Sequence, residues 1–159
     1  MPSLRGIEEG AGVSIEENKA IVLRAFEQIN RGDPDAASAY VAPDMALNGE
    51  QIGREAYKRR DEAMRAAFPD LHYGIEDLVA EGDTVVARWR MTGTHEGALA
   101  GPTMTIPPSG KRIDLWGMSL CRIEGGKVTE NWESFDMMEF LGQLGVLRPP
   151  GQSEEASPA

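Results

Sequence analysis

Phe68-Pro69-Asp70-Leu71-His72 divides this chain in two. Before it, apolar residues recur at helical spacing. After it they alternate as strand residues do, so the five residues mark a change of period and set the fold class. Upstream, Ser14 and Glu17 have the spacing of a capping box. Ile21, Val22, Ala25, Phe26 and Ile29 then share one helical face until Arg31-Gly32-Asp33-Pro34 stops the run. A short helical piece, Asp35 to Tyr40, leads through Val41-Ala42-Pro43-Asp44 to a brief extended segment at Met45 to Leu47, and a second main helix fits Arg54 to Ala67. Downstream, strand patterns cover His72 to Val79, Thr84 to Thr94, Lys111 to Ile123 and Lys127 to Phe135. The Glu81-Gly82-Asp83 and Glu124-Gly125-Gly126 turns are too short for crossover helices, so the strands form an antiparallel meander and the class is α+β. A last apolar stretch, Met137 to Leu144, ends at Gly145, a suitable helix stop.

Composition narrows the function. With 159 residues the chain has the size of one domain, with room for a core and one pocket. The reading places that domain at residues 14–147, between Gly-, Glu- and Pro-rich tails at 1–13 and 148–159. A net charge of -10 argues against nucleic acid and anionic membranes as partners, because both are bound through clustered Lys and Arg. The patch Lys58-Arg59-Arg60 has Asp61 and Glu62 beside it and reads as a solvated helix face. No apolar run approaches the ~18 residues of a membrane span, and the first residues lack the apolar core of a secretory signal, so the expected address is cytoplasmic. One cysteine, Cys121, forms no intramolecular disulfide, and two histidines provide no zinc spacing; neither metal nor cofactor is expected.

Chemistry concentrates in Lys127-Val-Thr-Glu-Asn-Trp-Glu-Ser-Phe-Asp136. Unbroken alternation puts Glu130, Trp132, Ser134 and Asp136 on one face. In a dry, concave setting a carboxylate beside Trp is poorly solvated when charged, and its proton affinity rises towards the range useful for acid–base work. Facing water, the same line is an amphipathic strand. The connection from His95 to Gly110 is long and rich in Gly and Pro, yet Leu99, Met104 and Ile106 give it apolar weight, so it reads as a flap over a pocket.

Three motifs follow the helix pair in order: Phe68-Pro69-Asp70-Leu71-His72, Gly93-Thr94-His95-Glu96-Gly97, and Gly126-Lys127-Val128 running into Trp132 and Asp136. Together they resemble the SnoaL-like polyketide cyclases of the nuclear-transport-factor-2-like superfamily, and Gln143-Leu144-Gly145 is similar to the ending of the ester-cyclase branch. The resemblance implies a cone-shaped α+β barrel, its curved antiparallel sheet wrapped around the N-terminal helices and enclosing one apolar pocket. It also implies a homodimer, a small hydrophobic ligand, and cofactor-free ring closure of a carbonyl compound by intramolecular aldol condensation. The family's acid–base aspartate matches Asp136, and its pocket histidine falls near Arg122.

Each named residue keeps an alternative. Asp136 is either the pocket acid–base group or the N-cap of the last helix. His95, on the parity of Trp89 and Met91, is either the donor to an enolate oxygen or a structural histidine at the strand end. His72 either lines the pocket or pairs with Asp70 at the helix-to-strand corner. Trp89, Trp116 and Trp132 suit a pocket for a planar ligand, and aromatic residues on strands also suit a plain core. Arg88 and Arg90 read as outer-face charges. The rival functions are hydration or isomerisation of an epoxide, with water held between a carboxylate and an amide or arginine (Asn48 and Arg88 being the nearest groups), and a non-catalytic ligand-binding dimer.

Overall fold

A computed structural model describes residues 14–101, 103–147 and 151. Residues 1–13, 148–150 and 152–159, which hold nearly all of the two expected tails, lie outside the described set. Helix α1 (Ile15–Arg31) begins at the anticipated capping box: the Glu17 N–H donates to Ser14 Oγ, and the Ser14 N–H donates to the Glu17 carboxylate, both at 3.2 Å. It ends at Gly32, whose φ of 72° suits glycine. Helix α2 (Pro34–Ser38) follows, capped by Asp33. Strands β1 (Val41–Leu47) and β2 (Glu50–Gln51) precede helix α3 (Gly53–Ala67).

Beyond Phe68 come β3 (His72–Glu81) and β4 (Thr84–Thr94), a small hairpin of β5 (Leu99–Ala100) and β6 (Thr105–Ile106), then β7 (Arg112–Glu124), β8 (Lys127–Phe135) and helix α4 (Met137–Gln143). The main sheet runs β2-β1-β8-β7-β4-β3. The meander β3-β4-β7-β8 is antiparallel as the short turns required, while β1 joins β8 in parallel, a pairing that the turns did not reveal.

The expected barrel does not close. β2 and β3 remain as the two edges of an open, curved sheet, because closing a sheet needs a staggered seam between edge strands, and one edge here is only two residues long. Helix α1 packs on β3 and β4, and α3 on β1 and β5, so the helices cover one face only. Phe68, Val85, Ala87, Ile113 and Leu115 form the buried layer between helices and sheet. Inward and outward positions alternate cleanly along β4 and β7, with Val85, Ala87, Trp89, Met91, Ile113, Leu115, Ser119 and Cys121 buried inside.

Alternation fails in β8. The register steps from Ile123↔Val128 to Arg122↔Glu130, leaving Thr129 as an extra residue. Such a bulge exchanges the faces of everything beyond it. Val128 is buried, but past the bulge the inward residues are Asn131, Glu133 and Phe135, and Glu130, Trp132 and Ser134 face outward. The line read from uninterrupted alternation therefore lies on the opposite face of the sheet.

Candidate active site

A cavity of about 600 Å³ lies between the inner sheet face and helices α1 and α3. Apolar groups form most of its wall, with Phe26 from α1, Met64 from α3, Trp89 and Met91 from β4, and Phe135 from β8. The β5–β6 hairpin and α4 complete it: Leu99, Met104 and Ile106 line it from one side, Phe140, Leu141 and Leu147 from the other. The described residues of the His95–Gly110 connection thus form a flap over the cavity through the β5–β6 hairpin. Its start is pinned by the N–H groups of Glu96 and Gly97, which donate to the Ala67 carbonyl at 3.0 and 3.1 Å.

Trp89 is held in a fixed orientation. Its indole lies where a Cβ at Gly117 would stand, only 2.3 Å from the indole Cη2, and its Nε1–H donates to Ser119 Oγ at 2.9 Å. Tyr73 meets it edge to face at 5.3 Å.

The polar groups gather where α3 faces β8. Tyr57, Arg60, Asp61 and Met64 share one side of α3 at helical spacing, and all four line the cavity. Arg60 grips Glu133 with both terminal nitrogens, Nη1 to Oε1 at 3.3 Å and Nη2 to Oε2. Asn131 Nδ2 donates to the same Glu133 Oε1 at 3.0 Å, so the carboxylate is held by Arg60 and Asn131, and the Glu133 backbone N–H donates to Asn48 Oδ1 at 2.8 Å. Burial is the largest single influence on the Arg60 guanidinium and would lower its pKa, but the Glu133 charge, its hydrogen bond and the neighbouring Tyr57 and Tyr73 together outweigh burial and hold the pKa above the usual arginine value.

Asp61 lies in the same wall and differs in its bonding. Burial pushes its carboxyl up to about 7; the Arg60 charge opposes the rise and the Glu133 charge adds to it. Burial also raises the Tyr57 and Tyr73 phenols, with the Asp61 and Glu133 charges adding to it, so both are neutral O–H donors at ordinary pH. The result is a half-ionised carboxylate, a fixed ion pair and two phenols at one end of an apolar cavity. That set can remove a proton next to a carbonyl and donate hydrogen bonds to the oxygen that becomes negative. Among the described residues no group of three or more His, Cys, Asp or Glu is arranged to hold a metal ion.

Of the candidate catalytic and ligand-binding residues read from the sequence, Trp89 and Met91 are on the cavity wall, as are the flap residues Leu99, Met104 and Ile106, and the other candidates are elsewhere. Asp136 is the N-cap of α4: its Oδ1 accepts from the Glu139 N–H at 3.0 Å and its side chain is exposed. His95 keeps the parity of Trp89 and Met91 but is wholly buried beyond the cavity against Phe68, with Nδ1 3.0 Å from Ser109 Oγ; burial holds its pKa below the usual histidine value. His72 is exposed on β3, and Asp70 bonds the Thr94 N–H and hydroxyl instead of pairing with it. Glu130, Trp132 and Ser134 are outward because of the bulge, and Trp116 is outward by the parity of β7. Arg88 and Arg90 are outer-face charges as expected, paired with Glu76, Asp77 and Asp114. Arg122, the nearest match to the family's pocket histidine, is also outside, against Asp83 and Glu130.

Arg60 and Asp61 were hidden inside a run that reads as a solvated helix face. Lys58 in that run does pair with Asp35 across the surface. The signal that separates its neighbours is the i, i+3, i+4, i+7 spacing of Tyr57, Arg60, Asp61 and Met64, which joins two charges to two residues of a buried face.

The family model for SnoaL-like polyketide cyclase matches residues 20–144. Among solved structures, AclR of Streptomyces galilaeus, a candidate hydroxylase, is 29% identical with a TM-score of 0.74, covering 85% of this chain and 100% of its own. A candidate SnoaL-like polyketide cyclase from Jannaschia sp. CCS1 is 26% identical with a TM-score of 0.73, covering 88% and 100%. IdmH of Streptomyces antibioticus, a candidate polyketide cyclase, is 26% identical with a TM-score of 0.68, covering 81% and 99%. The comparison with curated proteins gives no match. The helix pair, the open curved sheet and the enclosed apolar cavity agree with a match that spans most of the chain, and the protein belongs to the SnoaL-like polyketide cyclase family.

Proposed function

We propose that this protein is a cofactor-free enzyme of polyketide-cyclase type that acts on a hydrophobic carbonyl compound, with Asp61 rather than Asp136 as its acid–base group. The observation that carries this reading is the Asp61 carboxyl, set in the wall of an apolar cavity and pushed up to about 7. A base of that strength is partly ionised at neutral pH and takes a proton from a carbon acidified by a carbonyl. The Tyr57 and Tyr73 hydroxyls then donate to the enolate oxygen, and the Arg60–Glu133 pair fixes the field around Asp61. The cavity folds the substrate so that the carbanion meets a second carbonyl, the step for which effective molarities of ~10⁵ M or more are attainable.

The test begins with binding. In a Trp116→Phe/Trp132→Phe background, Trp89 alone reports on the cavity, and planar aromatic ketones, β-keto esters and epoxides are screened by fluorescence quenching. For a ligand that turns over, Asp61→Asn loses turnover by roughly 10²–10⁴-fold while affinity stays within a few-fold. Undiminished turnover in Asp61→Asn sinks the assignment.

Opening of an epoxide by water is a second reading with one observation in its favour. A carboxylate, an amide and an arginine do come together, as Glu133, Asn131 and Arg60, with Asn48 accepting from the Glu133 N–H, while Arg88 lies on the outer face with Glu76 and Asp77. It predicts diol formation from the epoxide members of the panel, abolished in Glu133→Gln.

The outer sheet face supports a homodimer. Val79, Val86, Leu120 and Trp132 are successive register partners across β3, β4, β7 and β8, and Trp116 and Met118 lie beside them. Trp116 is 56% and Trp132 49% exposed. Ion pairs flank the row on both sides, Arg88 with Asp77 and Arg122 with Glu130, giving an apolar centre with a charged rim. A second copy related by a two-fold axis presents the same arrangement in return.

A further inference from the structure

A second hollow touches the same carboxylate. It is a cleft of about 290 Å³ between the end of α1, the start of α2 and α3. Ile29, Asp61, Met64 and Tyr73 belong to its wall and to the wall of the large cavity alike, so Asp61 is part of a partition between two spaces. The described residues of α4 and of the β5–β6 hairpin take no part in the cleft, which opens elsewhere on the surface. Gly32, Asp33, Glu62 and Ala66 form its rim and are exposed, so water enters from that side.

Arg65 also lines the cleft and does not cancel the Asp61 charge by direct contact. Its guanidinium donates to the carbonyls of Ile29, Pro69 at 3.2 Å and Leu71 at 2.8 Å, which ties α1 to the corner after α3 and props the cleft. The charged and titratable groups around Asp61 are therefore Arg60, Glu133 and Tyr57 on the cavity side, Arg65, Glu62 and Asp33 on the cleft side, and Tyr73 on both.

This division matters because a hydrophobic ligand that fills the large cavity expels its water. A carboxylate that takes a proton there needs another way to exchange it. We infer that the cleft is a water site through which Asp61 exchanges its proton with solvent while the large cavity is occupied; the inference rests on the acid–base reading of Asp61. The cleft has room for several waters, and the carboxylates of Asp33, Asp61 and Glu62 in its wall are the acceptors that would hold them. In the step itself, the Asp61 carboxylate takes a hydrogen from the carbon next to the ligand carbonyl. The C–H bond breaks, an O–H bond forms on Asp61, and the electron pair moves to the carbonyl oxygen. The new carboxylic acid trades its proton with cleft water, and the exchanged hydrogen returns to carbon.

The probe is 2-acetylnaphthalene in D₂O, with deuterium entry into its methyl group followed by NMR. Ala66 lines the cleft and not the cavity, so Ala66→Phe and the smaller Ala66→Leu fill the cleft and leave the cavity wall unchanged. Both variants are checked for an unchanged melting temperature and for unchanged quenching of Trp89 by the probe in the Trp116→Phe/Trp132→Phe background. The expected result is exchange in the wild type, none in Asp61→Asn, at least a tenfold slower rate in Ala66→Phe and an intermediate rate in Ala66→Leu. Wild-type exchange with both filled variants equally fast overturns the water route and leaves Asp61 as the base. No exchange in the wild type overturns the acid–base reading and the route with it.

Discussion

The two faces of the main sheet are built by the same strands and have opposite characters. Inside, β4, β7 and β8 contribute Trp89, Ser119, Glu133 and Phe135 to a cavity closed by helices. Outside, the same three strands present Val86, Trp116, Leu120 and Trp132 with no covering element among the described residues. Trp89 is 3% exposed where Trp116 is 56%. Residue type does not distinguish the faces, since both carry tryptophan and carboxylates. What distinguishes them is cover: a carboxylate under the helices, Glu133, is held by Arg60 and Asn131 in the wall of an apolar cavity, and a tryptophan without them remains available to a partner surface.

The most drastic way to break the contrast is to charge the outer face. Leu120→Glu places a carboxylate at the centre of the apolar row opposite Trp132, and light scattering is expected to show conversion of a dimer to monomer while Trp89 reports unchanged ligand binding. A wild type that is monomeric at micromolar concentration removes the outer face from the account.

Next in size is a change on the inner face. An alanine Cβ at position 117 stands 2.3 Å from the Trp89 indole and 2.8 Å from the Ser134 carbonyl, so Gly117→Ala must push the indole off its place. A loss of about 1–3 kcal/mol in urea unfolding is expected, together with weakened ligand binding. Trp132→Ala on the other face leaves ligand binding unchanged.

A smaller and continuous effect comes from Asp61. Burial raises its folded pKa to about 7 from the ordinary aspartate value of 3.8, so the folded protein holds a proton that the unfolded chain releases. Stability from this group is fully present below about 4 and is lost as pH rises through about 7. Urea melts across that window should show a downward slope with pH that is absent in Asp61→Asn. The smallest effect is expected at Asp136. Asparagine caps a helix about as well as aspartate, so Asp136→Asn changes stability by only a few tenths of a kcal/mol, read from urea melts, and turnover by less than about twofold.

Local signals in the sequence were strong where a single residue settles a boundary. Ser14 and Glu17 start α1, Gly32 stops it, and the period change at Phe68 separates α1 and α3 from the meander of β3, β4, β7 and β8, although β1 and β2 lie before it and α4 after it. β4 and β8 run over the residues their patterns gave, Thr84–Thr94 and Lys127–Phe135. The site was less legible because it depends on which face is covered. One extra residue, Thr129, moves Glu133 inside and Glu130 outside, and no residue in Lys127–Asp136 announces a bulge. The aromatic residues misled for the same reason, since Trp132 and Phe135 have opposite parity and the larger one is outside. Asp61 was hidden by its charged neighbours on α3. It shares its walls with Ile29 of α1, Tyr73 of β3 and Glu133 of β8, which are distant in sequence.

Titration of Asp61 itself tests the central claim most directly. Side-chain carboxyl ¹³C NMR of the labelled protein, assigned with Asp61→Asn, is expected to show this group titrating near 7. A transition for Asp61 in the ordinary aspartate range near 4 would contradict the account, because it would mean a solvated carboxylate and no acid–base group in the cavity wall.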